Sequence, residues 1–355
     1  MENNNESVQL LLDNLPKILP LDTYMADPPQ MSDELIEGVL RIGHKMIISG
    51  SSKAGKSCLL MELCVSIAEG IAWLGLKCRK GRVLYVNLEI DEASAVNRFL
   101  KIYDALGIAP EDRHLEAIDI WNLRGYALPL IDLVPALIHN AVDKNYDAII
   151  IDPIYKIIMG DENSATDMGR FCNQFDKICA QLGCAVVYGH HHSKGDQGQK
   201  RAMDRASGSG VFARDPDAQL DIIQLSLSDV TKHNYSESAT AWRMETNLRE
   251  FPNIKPFEFW FDYPIHYVDS DGQLSDLSAQ GRGGQAKDRK AHSENKAVSD
   301  IHKAYDALNG KSEMTVKDFA DYLSVSDKTI YAKVKNTNGE FILKSGKVVK
   351  PDKAS

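Results

Sequence analysis

The stretch SGSSKAGKSCLLM, Ser49 to Met61, decides how the rest of the chain is read. Gly50, four residues, Gly55, Lys56 and Ser57 carry the G-x-x-x-x-G-K-[ST] spacing of a phosphate-binding loop. Glycine at both ends frees the backbone to curl its N–H groups around phosphates. The helix that follows adds a dipole that favours anions. Lys56 is expected to reach the β- and γ-phosphates and Ser57 to ligate Mg²⁺. The expected ligands are therefore ATP and Mg²⁺. Gly50, Ser51, Ser52, Lys53, Ala54, Gly55, Lys56, Ser57 and Cys58 form the nucleotide-binding run. Its interior, Ser51-Ser52-Lys53-Ala54, lacks further glycines, and Lys53 is a possible second phosphate contact.

Working outward, KMIISG before the loop is an apolar strand, and an amphipathic helix runs from Ser57 to about Gly70. RVLYVNLEI (Arg82 to Ile90) reads as a second buried strand. ASAVNRFLKIYDALG has helical spacing that ends at Gly107. AVDKNYDAIIIDP closes with a third strand stopping at Pro153. MGRFCNQFDKICAQLG is a further amphipathic helix and CAVVYGHH a fourth strand. Strands alternating with helices predict an α/β core with a mostly parallel, twisted sheet flanked by helices. After Asp215 the pattern changes. AQLDIIQLSLSD, SATAWRMETNLRE and KPFEFWFDYPIHYV read as consecutive, antiparallel strands extending the sheet.

The polar, Gly-containing run from Ser270 to Lys296 reads as a linker. The expected organisation is an N-terminal segment (1–34), an ATPase domain (35–269), a flexible linker (270–297) and a small C-terminal domain (298–355).

Composition narrows the function classes. The net charge of −9 is uneven. From Gly281 onward 15 Lys/Arg stand against 10 Asp/Glu, leaving 26 against 40 before it. An acidic body with a basic tail makes the tail the part suited to a polyanion. The chain holds no apolar run long enough for a membrane span, and its first residues lack the charge and apolar core of a secretory signal. Its six cysteines form no C-x-x-C pair and fit a reducing cytoplasm.

Four further places carry chemistry. AIIID ends in Asp152, placed to hold magnesium, or alternatively to cap the turn at Pro153. Glu89, at the end of VLYVNLE, is placed at the carboxyl edge of the sheet to activate a water. Asp91 and Glu92 beside it allow the plainer reading of a solvated acidic turn. His190, His191 and His192 follow the fourth strand. Consecutive strand residues alternate in direction, so they make no compact metal site, but one of them is placed to sense a γ-phosphate. Arg214, in RASGSGVFARDPDAQLD, is placed to act as a finger in a neighbouring subunit or to pair with Asp215 or Asp217. Arg243 and Arg249 compete for the same role.

Together these features resemble the plasmid RepA-type hexameric helicase ATPases, within the wider RecA/DnaB/KaiC class of P-loop proteins. The residues that carry the resemblance are the phosphate loop, Glu89, IIIDP, the His190-to-Gly195 turn and GSGVFARDPDAQ. It spans about Leu35 to Tyr267 and implies a RecA-like core. By position it implies Lys56 and Ser57 on nucleotide and Mg²⁺, Glu89 as catalytic base and Asp152 as the Walker B acid. It also implies His191 as γ-phosphate sensor, with His192 as its competitor, and Arg214 as an arginine finger in trans.

In the tail, TVKDFADYLSVSDKTIYAKVK reads as helix-turn-helix. Phe319, Leu323, Ile330 and Val334 face inward and Ser326 caps the second helix. Lys328, Thr329, Tyr331 and Lys333 are left for DNA contacts, and GEFILKSGKVVK resembles the wing of a winged helix. A protein-interaction domain of the same shape is the alternative. The expectation is a ring, hexameric by the resemblance, that hydrolyses ATP while acting on DNA as a replicative helicase. The single strand would pass through the ring and the tail could hold duplex. A basic stretch from Lys194 to Arg205 is suited to line the pore. The rivals are an ATP-dependent DNA-binding switch without translocation and, more weakly, a small-molecule kinase.

Overall fold

The computed structural model describes residues 15–51, 54–126, 128–158, 160–161, 164–192, 214–227, 236–275, 277–279, 301–308, 314–323, 325–335, 337, 340–344 and 346–350. Ser52, Lys53, the stretch from Lys194 to Arg205 and most of the expected linker lie outside the described residues.

In chain order, α1 (Leu21–Ala26) carries no buried residue. A small antiparallel pair follows, β1 (Glu34–Ile36) and β2 (Leu40–Arg41). Next come β3 (Lys45–Gly50) and α2 (Lys56–Glu69), which is the phosphate loop and its helix. The short pair β4 (Ala72–Trp73) and β5 (Leu76–Lys77) leads to β6 (Val83–Asn87), α3 (Glu92–Ala105) and β7 (Ile118–Asn122). Then follow α4 (Leu130–Ala141), β8 (Ala148–Asp152), α5 (Ala165–Leu182) and β9 (Ala185–His191). The body ends with β10 (Ala218–Gln224), β11 (Thr240–Leu248), β12 (Phe257–Asp262) and β13 (Ile265–Val268).

One sheet of nine strands joins these in the order β13-β12-β11-β10-β3-β9-β8-β6-β7. From β10 to β7 every pairing is parallel, and β11, β12 and β13 extend the edge antiparallel. The strands are apolar on both faces because helices cover both. Met46, Ile48, Val83, Tyr85, Ala148, Ile150, Ala185 and Val187 pack in one core with α2 and α3. Their neighbours Ile47, Leu84, Val86, Ile149, Ile151, Val186 and Tyr188 pack in a second core with α4 and α5. This strict alternation fixes which face each strand-end residue joins.

Three expectations need correction. First, α2 is not amphipathic: every residue from Cys58 to Ala68 is buried. The helix lies against the sheet on one side, and the Trp73 indole donates to the Leu59 carbonyl at 3.1 Å. The amide of His266 on β13 donates to the buried Glu62 carboxylate at 3.1 Å. Second, KPFEFWFDYPIHYV is not one strand but the hairpin β12–β13, turned at Tyr263-Pro264. Third, β6 stops at Asn87, two residues before Glu89.

The tail has its own apolar core. Helix 301–308, called α6, precedes α7 (Val316–Leu323), α8 (Asp327–Lys335) and the pair β14 (Ile342–Lys344) and β15 (Lys347–Val349). Ile301, Phe319, Ile330, Val334, Phe341 and Val348 fill the centre, with Leu323 packed at its edge. Thr315 bridges Lys347, so the hairpin is tied to the start of α7.

Candidate active site

The loop between β3 and α2 is shaped by close approaches. Gly55 has φ of +73°, and a Cβ there would also meet the Phe261 ring at 2.9 Å. A Cβ on Gly50 would meet Ile222 on β10 at 2.4 Å. Both positions therefore need glycine, the first for backbone freedom and space, the second for space alone. Lys56 begins α2 with its ammonium turned back along the loop. Nζ donates to the carbonyls of Gly50 at 2.9 Å and Ser51 at 2.8 Å, and lies 3.2 Å from Nδ1 of His191. Burial pulls the Lys56 pKa down to about 8, against the opposing charges of Asp152 and Glu89.

Asp152 ends β8 on the α2 side of the sheet and is only 3% exposed. The Tyr85 hydroxyl donates to its Oδ2 at 2.8 Å, and the Ser57 hydroxyl also bonds to this carboxylate. Burial raises its pKa, with these two hydroxyls and the Lys56 charge opposing. A hydroxyl and a buried carboxylate side by side at a helix start make a hard-oxygen pair, and that donor set suits Mg²⁺. Gly189 on β9 leaves them room: a Cβ there would meet Leu60 at 3.0 Å and Asp152 at 3.3 Å.

Glu89 is exposed in the turn after β6. The turn is made by Asn87, a buried residue with no chemical motif in the sequence to mark it. Its carboxamide oxygen accepts from the amides of Glu89 at 3.3 Å and Ile90 at 3.1 Å. Its nitrogen donates to Ile90 O at 2.7 Å and to Asn122 at 2.8 Å. Leu88 is tied to the Asp152 carbonyl at 3.0 Å, so Glu89 and Asp152 hold station together. Asn87 ends the strand early by satisfying these amides with its side chain.

The histidines separate by face, as alternation requires. His191 shares the α2 side with Val187 and Gly189 and meets Lys56, while its ring lies 5.6 Å from that of Tyr155. Burial, and next the Lys56 charge, lowers its pKa, so it is a neutral imidazole near pH 7. His192 turns the other way and its Nε2 lies 2.6 Å from Asp221 on β10. His191 is therefore the histidine at the loop. Among the described residues, no group of three or more His, Cys, Asp or Glu stands together as a metal cage.

These groups share one cleft of about 620 Å³, walled by Ala54 to Cys58, Glu89, Ile90, Asp152, Pro153 and His191. Arg98 on α3, Tyr155, Phe261 and Tyr263 complete the wall. Sequence reasoning passed over those four. Arg98, Phe261 and Tyr263 are remote from the loop in the chain and come in only through the packing of α3 and the β12–β13 hairpin against α2, whereas Tyr155 follows Asp152 in the turn after β8. The Arg98 charge is felt at Cys58, whose thiol burial pushes up to about 12.

Arg214 is not in this cleft. It precedes β10, whose first residue pairs with Met46 near the amino end of β3, so Arg214 stands at the opposite edge of the sheet from Lys56. Its side chain is exposed. Among the described residues, the acids next to it in the chain are engaged elsewhere, Asp215 by Lys45 at 2.7 Å and Asp217 by Arg249 at 3.2 Å. The competing arginines are engaged as well. Arg243 pairs with Glu258 at 2.7 Å, and Arg249 donates to the Arg214 carbonyl at 2.6 Å.

In the tail, Lys328 and Tyr331 are exposed on α8. Thr329 and Lys333 are partly buried, and the Thr329 hydroxyl lies 2.8 Å from that of Ser326, which caps the helix. The tail's expected contact face is thus narrower than the spacing suggests.

A parallel sheet with a phosphate loop, a buried carboxylate and an exposed glutamate at one edge defines a P-loop nucleotide-binding protein. Residues 12–197 match the family described as AAA domain, and the chain belongs to that family of P-loop ATPases. Membership supports nucleotide binding and hydrolysis, typically with Mg²⁺. Among the described residues no helix is long and apolar enough to cross a membrane.

Proposed function

We propose that the chain is the subunit of a ring-forming, RecA-like ATPase that hydrolyses ATP to move on DNA, of the RepA-type hexameric helicase kind, working in the cytoplasm. The observation that carries this reading is Arg214. It is an exposed cation whose neighbouring acids are engaged by other partners, held at the sheet edge away from its own phosphate loop. Such a residue serves a site on another copy.

The cleft supports the roles. Lys56 and the loop amides hold the triphosphate. Glu89 is exposed beside them and takes the proton of the attacking water. Neutral His191, next to Lys56, contacts the γ-phosphate and reports its loss. Ser57 and Asp152 hold Mg²⁺, which when bound neutralises charge on the β- and γ-phosphate oxygens. Arg214 of a neighbour then stabilises transition-state charge on the transferred phosphoryl group.

The proposed division keeps an N-terminal segment (1–34), the ATPase domain (35–269), a linker (270–297) and a C-terminal domain (298–355). Helices α6, α7 and α8 followed by a hairpin bridged to Thr315 at the start of α7 support a winged helix in the last, with Lys328 and Tyr331 as its leading duplex contacts.

The test is ATPase rate with and without single-stranded DNA of mixed sequence, together with the solution mass and displacement of an annealed strand. A motor shows stimulated turnover, a hexamer-sized particle and strand displacement. Slow, unstimulated turnover with binding confined to one duplex sequence would make the protein a nucleotide-dependent DNA-binding switch instead.

A further inference from the structure

We propose that Lys45 is a positioning residue for hydrolysis on a neighbouring copy: by holding Asp215 it fixes the turn that presents Arg214. This inference rests on the assignment of Arg214 as a finger in trans.

Lys45 is the first residue of β3 and only 5% exposed. Its ammonium bridges Asp176 on α5 at 2.6 Å and Asp215 at 2.7 Å. Its backbone is held by the same turn. The Lys45 amide donates to the Asp217 carboxylate at 2.9 Å, and the Asp217 amide donates to the Lys45 carbonyl at 2.9 Å. Arg249, at the end of β11, closes the other side. It donates to the carbonyls of Arg214 at 2.6 Å and Asp215 at 3.2 Å, and pairs with Asp217 at 3.2 Å.

Arg214 therefore has an anchored backbone and an exposed side chain, the arrangement a finger needs. Lys45 is the informative member because it is buried. It acts on Arg214 only through Asp215 and Asp217, whereas the more exposed Arg249 could itself touch a neighbour. The turn is also bonded to the strand that runs directly into the phosphate loop. One straight element thus joins a subunit's own nucleotide site to the residue it lends.

The test uses full-length subunits carrying Lys45→Met or Asp215→Asn, assayed alone and with a fivefold excess of Lys56→Ala subunits. The latter have no working site but an intact Arg214 turn. Alone, each variant should lose about 10- to 100-fold in kcat while KM for ATP moves less than about twofold, since misplacing a catalytic group has effects of this size. Mixing should restore most of that loss per variant subunit, because their own clefts are sound and now face a well-placed Arg214. A folding defect in the variant would not be repaired by its neighbour. If Lys45→Met does not fold, Asp215→Asn decides alone.

Normal turnover in the variants overturns the proposal. So does a loss that mixing does not recover in an experiment where Arg214→Ala does recover. If Arg214→Ala itself gains nothing from Lys56→Ala subunits, the trans reading fails and this inference falls with it.

Discussion

Two lysines bracket the central strand. Lys45 opens β3 and Lys56 follows it across the loop, and both are almost fully buried, at 5% and 7% exposure. Their charges are treated in opposite ways. Burial pulls the Lys45 pKa down, but hydrogen bonds and charge from Asp176 and Asp215 outweigh it and leave the value raised. Lys56 touches two carbonyls and an imidazole, and burial pulls it down to about 8. The protein neutralises Lys45 internally and leaves Lys56 short of negative charge. The first lysine holds the Asp215 turn in place; the second keeps a charge suited to an anion that arrives from outside.

The contrast between the two ends of the strand can be broken most directly at Arg214. Arg214→Ala should lower kcat of the assembled protein about 10³-fold or more, with ATP affinity changed less than about twofold. Steady-state hydrolysis and equilibrium nucleotide binding check this, and full activity would remove the amino edge from catalysis. Next, Lys56→Met should lose about 10²- to 10³-fold in hydrolysis together with nucleotide affinity, while its denaturant midpoint stays within error. Lys45→Met should differ in kind, losing about 10- to 100-fold in turnover through the Arg214 turn but not nucleotide affinity. It should lose about 1–3 kcal/mol of stability, the figure reduced because Asp176 is half exposed, and still bind nucleotide.

The pH dependence sharpens the same comparison. Lys56 is charged below about pH 8 and neutral above it, and a bound triphosphate pulls its pKa back up. Nucleotide affinity should therefore hold from pH 6 to 7.5 and fall about tenfold between pH 8 and 9. Calorimetry in buffers of different ionisation enthalpy should show proton uptake on binding at pH 9 and little at pH 7. Lys45, with its pKa raised, contributes nothing in that window. An effect on stability alone is expected at Gly50→Ala, whose new Cβ meets Ile222. A loss of about 1–3 kcal/mol in a denaturant melt should be non-additive with Ile222→Ala.

Much of the body was legible because its strands are continuous apolar runs ended by turn residues. KMIISG, VLYVN, AIIID and AVVYGHH all appear where the pattern puts them. The edge strand β7 and helix α4 were not legible. IDIWN is half-buried throughout and mixes an acid and a tryptophan, and α4 carries Pro135 in its interior. Lys56, Ser57, Asp152 and Glu89 could be named from spacing, whereas Asn87, which holds the Glu89 turn, could not. A buried asparagine has no signature until its partners, Ile90 and Asn122, are in place.

The sequence by itself determined the phosphate loop, the parallel core and the set of acids and histidines at one sheet edge. Those follow from local spacing and from the strand period, which any reader of the chain can count. Only the tertiary structure decided between His191 and His192, because the choice depends on which face of β9 looks toward α2. It alone set Arg214 apart from Arg243 and Arg249, since an arginine's availability depends on which acids its neighbours already hold. Pairing of charges distant in the chain is a property of packing, and no stretch of sequence contains it.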